Sequence, residues 1–119
     1  MNISWSEIKP YENELPTNYA DRIGRLYTDT VTAAFKKSNG QFFTPVSIAY
    51  FMGKQISVNK DSVSVLDPGC GTAILSCAMI ENLVLQSKVK QIELVTYETD
   101  ENLIPGLQKV LEYITIWGM

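Results

Sequence analysis

Apolar residues recur every three or four positions from Asn18 onward, which is the spacing of one buried helix face. The pattern predicts a first helix over about residues 18–37, ended by Asn39-Gly40. Residues 1–17 hold two prolines and scattered charges, and they are expected to form an irregular lead-in. A second helix is predicted over about residues 45–55, because Thr44-Pro45 has the form of an N-cap followed by proline at the first helical position.

Beyond the second helix the hydrophobic period changes, and short β-branched runs alternate with helical patterns. The predicted elements are a strand over 63–66, a helix over 73–86, a strand over 92–97 and a helix over 102–115. The third helix is apolar almost all round and should be buried. The last one is expected to begin near Asn102, because Pro105 is tolerated only in the first turn.

Strands that alternate with helices predict an α/β fold, in which right-handed crossovers join parallel strands. Two strands are fewer than the four to six that sheets commonly contain. Residues 18–119 are therefore expected to form the first part of a larger α/β domain whose sheet is incomplete.

Composition limits the functions that this chain could perform alone. Ten basic and thirteen acidic residues give a net charge of −3, so the chain lacks the basic surface of a self-sufficient nucleic-acid binder. It has no histidine, and its two cysteines, Cys70 and Cys77, do not have the spacing of a zinc site or a disulfide scaffold. The absence of a long apolar run and of a signal-like start leads us to expect no membrane span and no secretory signal, and two cysteines without a disulfide pattern favour a reducing cytoplasm.

The segment between the first predicted strand and the third helix contains the strongest sequence signal for a ligand. Gly69 and Gly71 lie where the strand turns into the helix, and glycine allows a ligand to approach the backbone closely. Asp67 would repel the pyrophosphate of a dinucleotide but favour the sulfonium and ammonium groups of S-adenosylmethionine. Ile74 at the third glycine position of the dinucleotide fingerprint also weakens that interpretation. A plain tight turn is the alternative.

Glu98 follows the second predicted strand, a position where an acid accepts hydrogen bonds from a ribose diol. It lies 27 residues after Gly71, somewhat more than the spacing of about 20 in dinucleotide sites. The alternative is a solvated acid with no ligand.

Three segments together resemble the adenine-N6 DNA methyltransferases. The sequence Asp67-Pro-Gly-Cys-Gly-Thr-Ala73 is similar to motif I, Gly40-Gln-Phe-Phe-Thr-Pro45 to motif X, and Tyr97-Glu-Thr-Asp100 to motif II. The order X, I, II resembles the γ arrangement found in type I modification subunits and in fused type II restriction–modification enzymes. The resemblance spans roughly residues 18–115 and implies a Rossmann-like, class I S-adenosylmethionine-dependent fold.

The resemblance also implies a role for individual residues toward S-adenosylmethionine. Thr44 would bind the methionine carboxylate, aided by the helix that it caps, and Asp67 would face the amino group. Glu98 would hold the ribose hydroxyls. Backbone of the loop would line the cofactor, Thr99 would lie beside the adenine, and Phe43 would either pack on the cofactor or serve as a core aromatic. The loop residues concerned are Gly69, Cys70, Gly71 and Thr72.

The sequence departs from the family at two places. Ala73 replaces the last glycine of motif I, which should tighten the pocket slightly. The catalytic tetrapeptide [NDS]-P-P-[YFW] does not occur, so the chain alone is expected to be inactive.

The resemblance implies DNA as a partner, bound through regions outside these residues, and a specificity subunit or a fused nuclease or target-recognition domain. The family also suggests a bacterial restriction–modification system. Two alternatives stay open: a segment of a methyltransferase for proteins or small molecules, and a non-catalytic fragment that binds cofactor.

Overall fold

The structure is a computed structural model that describes residues 3–30, 43–86 and 88–118. The later part of the first predicted helix, the Asn39-Gly40 break and the start of motif X lie outside the described residues. A short 3-10 helix spans Trp5–Glu7. The remaining elements are α1 (Pro16–Thr30), α2 (Val46–Gly53), β1 (Ser62–Pro68), α3 (Ile74–Gln86), β2 (Gln91–Tyr97) and α4 (Ile104–Trp117).

The two strands form a parallel pair, connected through α3, in which Ser62 lies opposite Gln91 and Pro68 opposite Tyr97. Helices and a parallel sheet therefore coexist as the alternating pattern predicts. Within the described residues the sheet has these two strands alone. Their carboxyl ends meet at one edge, which is where ligands bind in open α/β sheets.

The hydrophobic core lies between the helices and one face of this sheet. Helix α1 packs against both α3 and α4, and the side chains of Ile92 and Leu94 on β2 pack against the same core. Its fully or almost fully buried members are Tyr19, Ala20, Ile23, Ala49, Ile74, Cys77, Ala78, Ile80, Val110 and Ile114. In the described part of the chain, none of the helices is both long and apolar enough to span a membrane.

Several element boundaries differ from the sequence-based expectation. Helix α1 begins at Pro16, because proline lacks the amide hydrogen that the first helical residue leaves unpaired in any case. The predicted strand 63–66 extends over Ser62–Pro68. The lead-in is bonded to the helices, because the Tyr19 hydroxyl donates to the Ile8 carbonyl at 2.7 Å and the Tyr113 hydroxyl donates to the Glu14 carbonyl.

The expectation that Thr44 caps the second helix is wrong. Pro45 occupies the N-cap position with extended backbone, at ψ 148°, and the helix begins at Val46. No side-chain hydrogen bond caps this helix among the described residues. The extended conformation is the reason, because it moves Thr44 one residue further from the first turn than a cap requires.

Glu81 is a buried carboxylate, 3% exposed, on the mostly apolar helix α3. Its Oε2 atom accepts the backbone N–H of Thr17 at 2.8 Å and also the Thr17 hydroxyl, in the first turn of α1. Its Oε1 atom accepts the hydroxyl of Tyr50, on α2, at 2.8 Å. An acid at a helix N-terminus is stabilised by the orphan amides and the helix dipole. One side chain thus connects three helices.

Replacing Glu81 with alanine should lower the free energy of unfolding by about 3 kcal/mol. The two buried donors of Thr17 lose their acceptor, at roughly 1–3 kcal/mol each, and the half-buried Tyr50 hydroxyl loses its acceptor as well. Glu81→Gln keeps one acceptor oxygen and should cost less. Urea denaturation measures both. Glu112→Ala, at an exposed position of the same residue type on α4, is the control and should change stability by less than about 0.5 kcal/mol. Equal effects at the two positions would contradict this assignment.

Burial and the hydrogen bond to Glu81 raise the pKa of Tyr50 from 10.0 to about 12. Because the folded state keeps this proton to higher pH than the unfolded state, the stabilisation is complete below pH 10 and is lost as pH rises through about 12. The stability difference between the unaltered chain and Tyr50→Phe should therefore shrink between pH 10 and 12. Urea midpoints measured across this range test it, and a constant difference would refute the coupling.

Candidate functional site

The loop between β1 and α3 is built from alternating left-handed backbone conformations. Gly69, Gly71 and Ala73 have φ angles of 62°, 59° and 63°. Glycine adopts such angles freely, whereas this conformation costs a residue with a side chain roughly 1–2 kcal/mol in conformational free energy. Ala73 bears that cost and is completely buried, so the surrounding contacts must hold the turn. The loop is a defined structure rather than a flexible connection.

Glu98, directly after β2, is the acid that holds this loop. Its Oε1 atom accepts the N–H of Gly71 at 2.8 Å, and its Oε2 atom accepts the N–H of Asp100 at 2.9 Å. The Cys70 N–H also donates to the Tyr97 carbonyl at 2.9 Å. The structure therefore places the predicted acid in direct contact with the predicted glycine turn.

A second carboxylate lies at the end of β1. Asp67 is half-buried and accepts a hydrogen bond from the buried Ser76 hydroxyl on α3. Burial and the negative charges of Asp67 and Glu98 raise the pKa of the Cys70 thiol to about 11. Two carboxylates beside one loop make this edge of the sheet suited to cationic groups.

Phe43 lies against the loop, which brings the segment before α2 to the end of β1. A Cβ atom on Gly71 would lie 3.1 Å from Phe43 Cε1, and one on Gly24 would lie 3.5 Å from Phe43 Cγ. Both glycines therefore leave room for the ring. The same position on Gly24 is 3.5 Å from the hydroxyl oxygen of Thr72, whose side chain is 1% exposed. Thr72 thus points toward α1, and only its backbone remains for a ligand.

The other predicted site residues differ in their exposure. Thr44 is half-buried between Phe43 and the start of α2, and Thr99 is exposed beyond Glu98. Gly69 is exposed, and within the described residues nothing lies within 4 Å of the Cβ position that it lacks. This open side of the turn is where a ligand could approach the backbone.

Two contact residues of the site were missing from the sequence analysis. Tyr27 has the helical spacing of a core residue, yet its hydroxyl donates to Asp100 Oδ2. Gly24, on the same helix, gives space to Phe43. A glycine inside a helical pattern is a signal for close packing, but the sequence does not show the neighbour.

A separate cavity of about 370 Å³ lies between α3, β2 and α4. Apolar side chains dominate its lining, with Ile80, Ile92, Leu94, Leu111 and Ile114 among them. None of the predicted site residues lines it. The acidic loop and this cavity are therefore different features.

Gly71→Ala should destabilise the protein more than Gly69→Ala. Both alanines would adopt a left-handed φ, at a cost of about 1 kcal/mol after the gain from a stiffer unfolded chain. Only the Cβ at position 71 meets the Phe43 ring, which must then move, so we expect a further loss of about 1 kcal/mol or more. Urea denaturation of both variants is the measurement. Equal destabilisation would show that Phe43 does not pack on the loop.

Comparison with known proteins identifies the family. The profile of the N-6 DNA methylases matches residues 19–105. The chain is 32% identical over 90 residues to the type II methyltransferase M.AccI of Acinetobacter calcoaceticus, covering 76% of this chain and 16% of that protein. It is 37% identical over 86 residues to the type II methyltransferase M.BsuBI of Bacillus subtilis, covering 68% and 17%. No solved structure matches the chain.

The chain spans about a sixth of the length of these curated relatives. The profile match includes α1 from Tyr19 onward, the Phe43–Pro45 segment, the acidic loop and Glu98. The chain therefore belongs to the N-6 DNA methylase family.

Proposed function

We propose that this chain is the S-adenosylmethionine-binding segment of a DNA adenine-N6 methyltransferase of a bacterial restriction–modification system. The observation that carries the proposal is the Glu98 carboxylate bound to the Gly71 N–H beside a second acid, Asp67. Family membership and the type II methyltransferase relatives support it. Bound S-adenosylmethionine would supply the methyl group for transfer.

The chemistry of the site fits this cofactor. S-adenosylmethionine carries a sulfonium, an ammonium and a ribose diol, and each is favoured by a nearby carboxylate. A carboxylate has about four lone-pair positions, and Glu98 uses two for main-chain donors. The other two would accept the ribose hydroxyls. The pyrophosphate of a dinucleotide would instead meet two negative charges.

The other residues would surround the cofactor as follows. Asp67 would face the ammonium group of the cofactor. Thr44 would bind the methionine carboxylate through its hydroxyl, although Thr44 does not cap the helix as the sequence predicted. Phe43, whose ring lies beside Gly71, would form one wall of the pocket. Backbone from Gly69 through Cys70 and Gly71 to Thr72 would line the open side of the loop, with Thr99 beside the adenine.

The rest of the enzyme would supply DNA binding and catalysis. The net charge of −3 does not favour DNA, and the 119 residues contain no catalytic tetrapeptide, so we expect the chain alone to be inactive. Leu66, Val95 and Tyr97 are 64%, 37% and 61% exposed on the sheet face turned away from the helices. Parallel sheets are normally covered on both faces. We expect residues 18–119 to be the N-terminal part of a Rossmann-like domain whose remainder covers this face.

The chain should bind S-adenosylmethionine in calorimetric titration and should not bind NAD. Glu98→Ala should weaken binding by roughly 10- to 100-fold, because a carboxylate hydrogen bond contributes roughly 1.5–3 kcal/mol and each 1.4 kcal/mol is tenfold. It should also lower the melting temperature without ligand, since Gly71 and Asp100 lose their acceptor. Thr44→Val should weaken binding but leave the melting temperature unchanged, because Thr44 caps no helix.

Glu93→Ala, on the exposed face of β2, is the matched control and should bind like the unaltered chain. Binding of NAD in place of S-adenosylmethionine would refute the proposed function. Normal binding by Glu98→Ala would show that this acid serves only the loop.

A further inference from the structure

Tyr27 connects α1 to the loop that follows β2. The side chain is 3% exposed, and its hydroxyl donates to Oδ2 of Asp100, 73 residues away in sequence. A buried tyrosine normally finds a partner for its hydroxyl. Here the partner belongs to the segment that carries Glu98. The ring is therefore more than a core residue of α1.

Asp100 transmits this contact to the main chain. Its Oδ1 atom accepts the N–H of Asn102 at 3.0 Å, and its carbonyl accepts the N–H of Leu103 at 3.0 Å. These bonds form a tight turn before α4. The N–H of Asp100 then points at Glu98 Oε2, 2.9 Å away. The position of the Asp100 side chain thus affects where its own amide donates.

Glu98 is held by two main-chain donors, and their directions fix the plane of its carboxylate. One is Gly71 at 2.8 Å, and the other is Asp100. A carboxylate that binds a diol must present its free lone pairs in one orientation, which is a matter of geometry as well as charge. Movement of the Asp100 amide would rotate the carboxylate about its bond to Gly71.

We propose that Tyr27 is a positioning residue: through Asp100 it orients the Glu98 carboxylate against Gly71, and so sets the ribose-binding geometry of the cofactor site. The inference rests on the proposed cofactor function. Tyr27 itself touches no cofactor in this assignment. Its hydroxyl acts through two carboxylates and one amide.

The test compares Tyr27→Phe with Tyr19→Phe in the complete 119-residue chain. Both tyrosines are buried on α1, and each substitution removes a hydroxyl hydrogen bond, to Asp100 for Tyr27 but to the Ile8 carbonyl in the lead-in for Tyr19. Melting temperature should fall by similar amounts. Affinity for S-adenosylmethionine should fall roughly 5- to 10-fold in Tyr27→Phe alone, the scale of one net hydrogen bond.

A second readout needs no ligand. The amide proton of Gly71 donates to a carboxylate, so its NMR chemical shift reports the Glu98 contact directly. The shift should change in Tyr27→Phe and stay constant in Tyr19→Phe. If Tyr27→Phe does not fold, Asp100→Asn weakens the same hydrogen bond at the half-buried acceptor. It should also change the Gly71 shift and lower the affinity for S-adenosylmethionine.

An unchanged Gly71 shift in Tyr27→Phe, or an equal loss of affinity in both tyrosine variants, would overturn the positioning role. Failure of the unaltered chain to bind S-adenosylmethionine would refute the proposed function instead. In that case the Gly71 shift still decides whether Tyr27 orients Glu98.

Discussion

The arrangement of the helices depends on one buried carboxylate. Glu81 accepts hydrogen bonds from the first turn of α1 and from Tyr50 on α2, and it lies on α3 itself. Helix α1 carries Gly24 and Tyr27, and Phe43 lies in the segment just before α2. Gly24 and Phe43 lie close to the glycine loop, and Tyr27 bonds to Asp100 in the segment that carries Glu98. A charge in an apolar core is costly unless its hydrogen bonds are satisfied. Here that requirement fixes the geometry of three helices at once.

A similar principle operates at the loop. Ala73 holds a left-handed conformation that is unfavourable for any residue with a side chain, and neighbouring contacts must compensate. Glu98 supplies two main-chain hydrogen bonds, and Phe43 fills the space beside Gly71. The acids that would attract a cationic ligand therefore also shape the turn that would receive it. Preorganisation of this kind reduces the ordering that ligand binding must impose.

The sequence predicted what local patterns encode. Period changes predicted helices that alternate with strands, and the described residues contain both. Gly69 and Gly71 predicted a sharp turn from strand to helix, and both have a positive φ in the structure. The Thr44 cap was wrong, because Pro45 is as compatible with an extended N-cap as with the first helical turn. Thr17 lies 64 residues from Glu81, and Asp100 lies 73 residues from Tyr27; no periodicity reveals such contacts. For the contact of Glu81, the available signal in the sequence was a single acid in a mostly apolar helix.

The two faces of the sheet explain how the two-stranded α/β unit of the described residues has a core of its own. Side chains of β2 that point toward the helices, Ile92 and Leu94, complete the core, whereas Leu66 and Tyr97 on the other face remain in solvent. The acidic loop draws its contacts from α1, the segment before α2 and the end of β2, all of which lie within the described residues. The geometry proposed to bind the cofactor can therefore form while the second face of the sheet is uncovered. Under the proposed function, the surface that holds the target adenine against the cofactor would lie outside the part of the relatives that this chain matches.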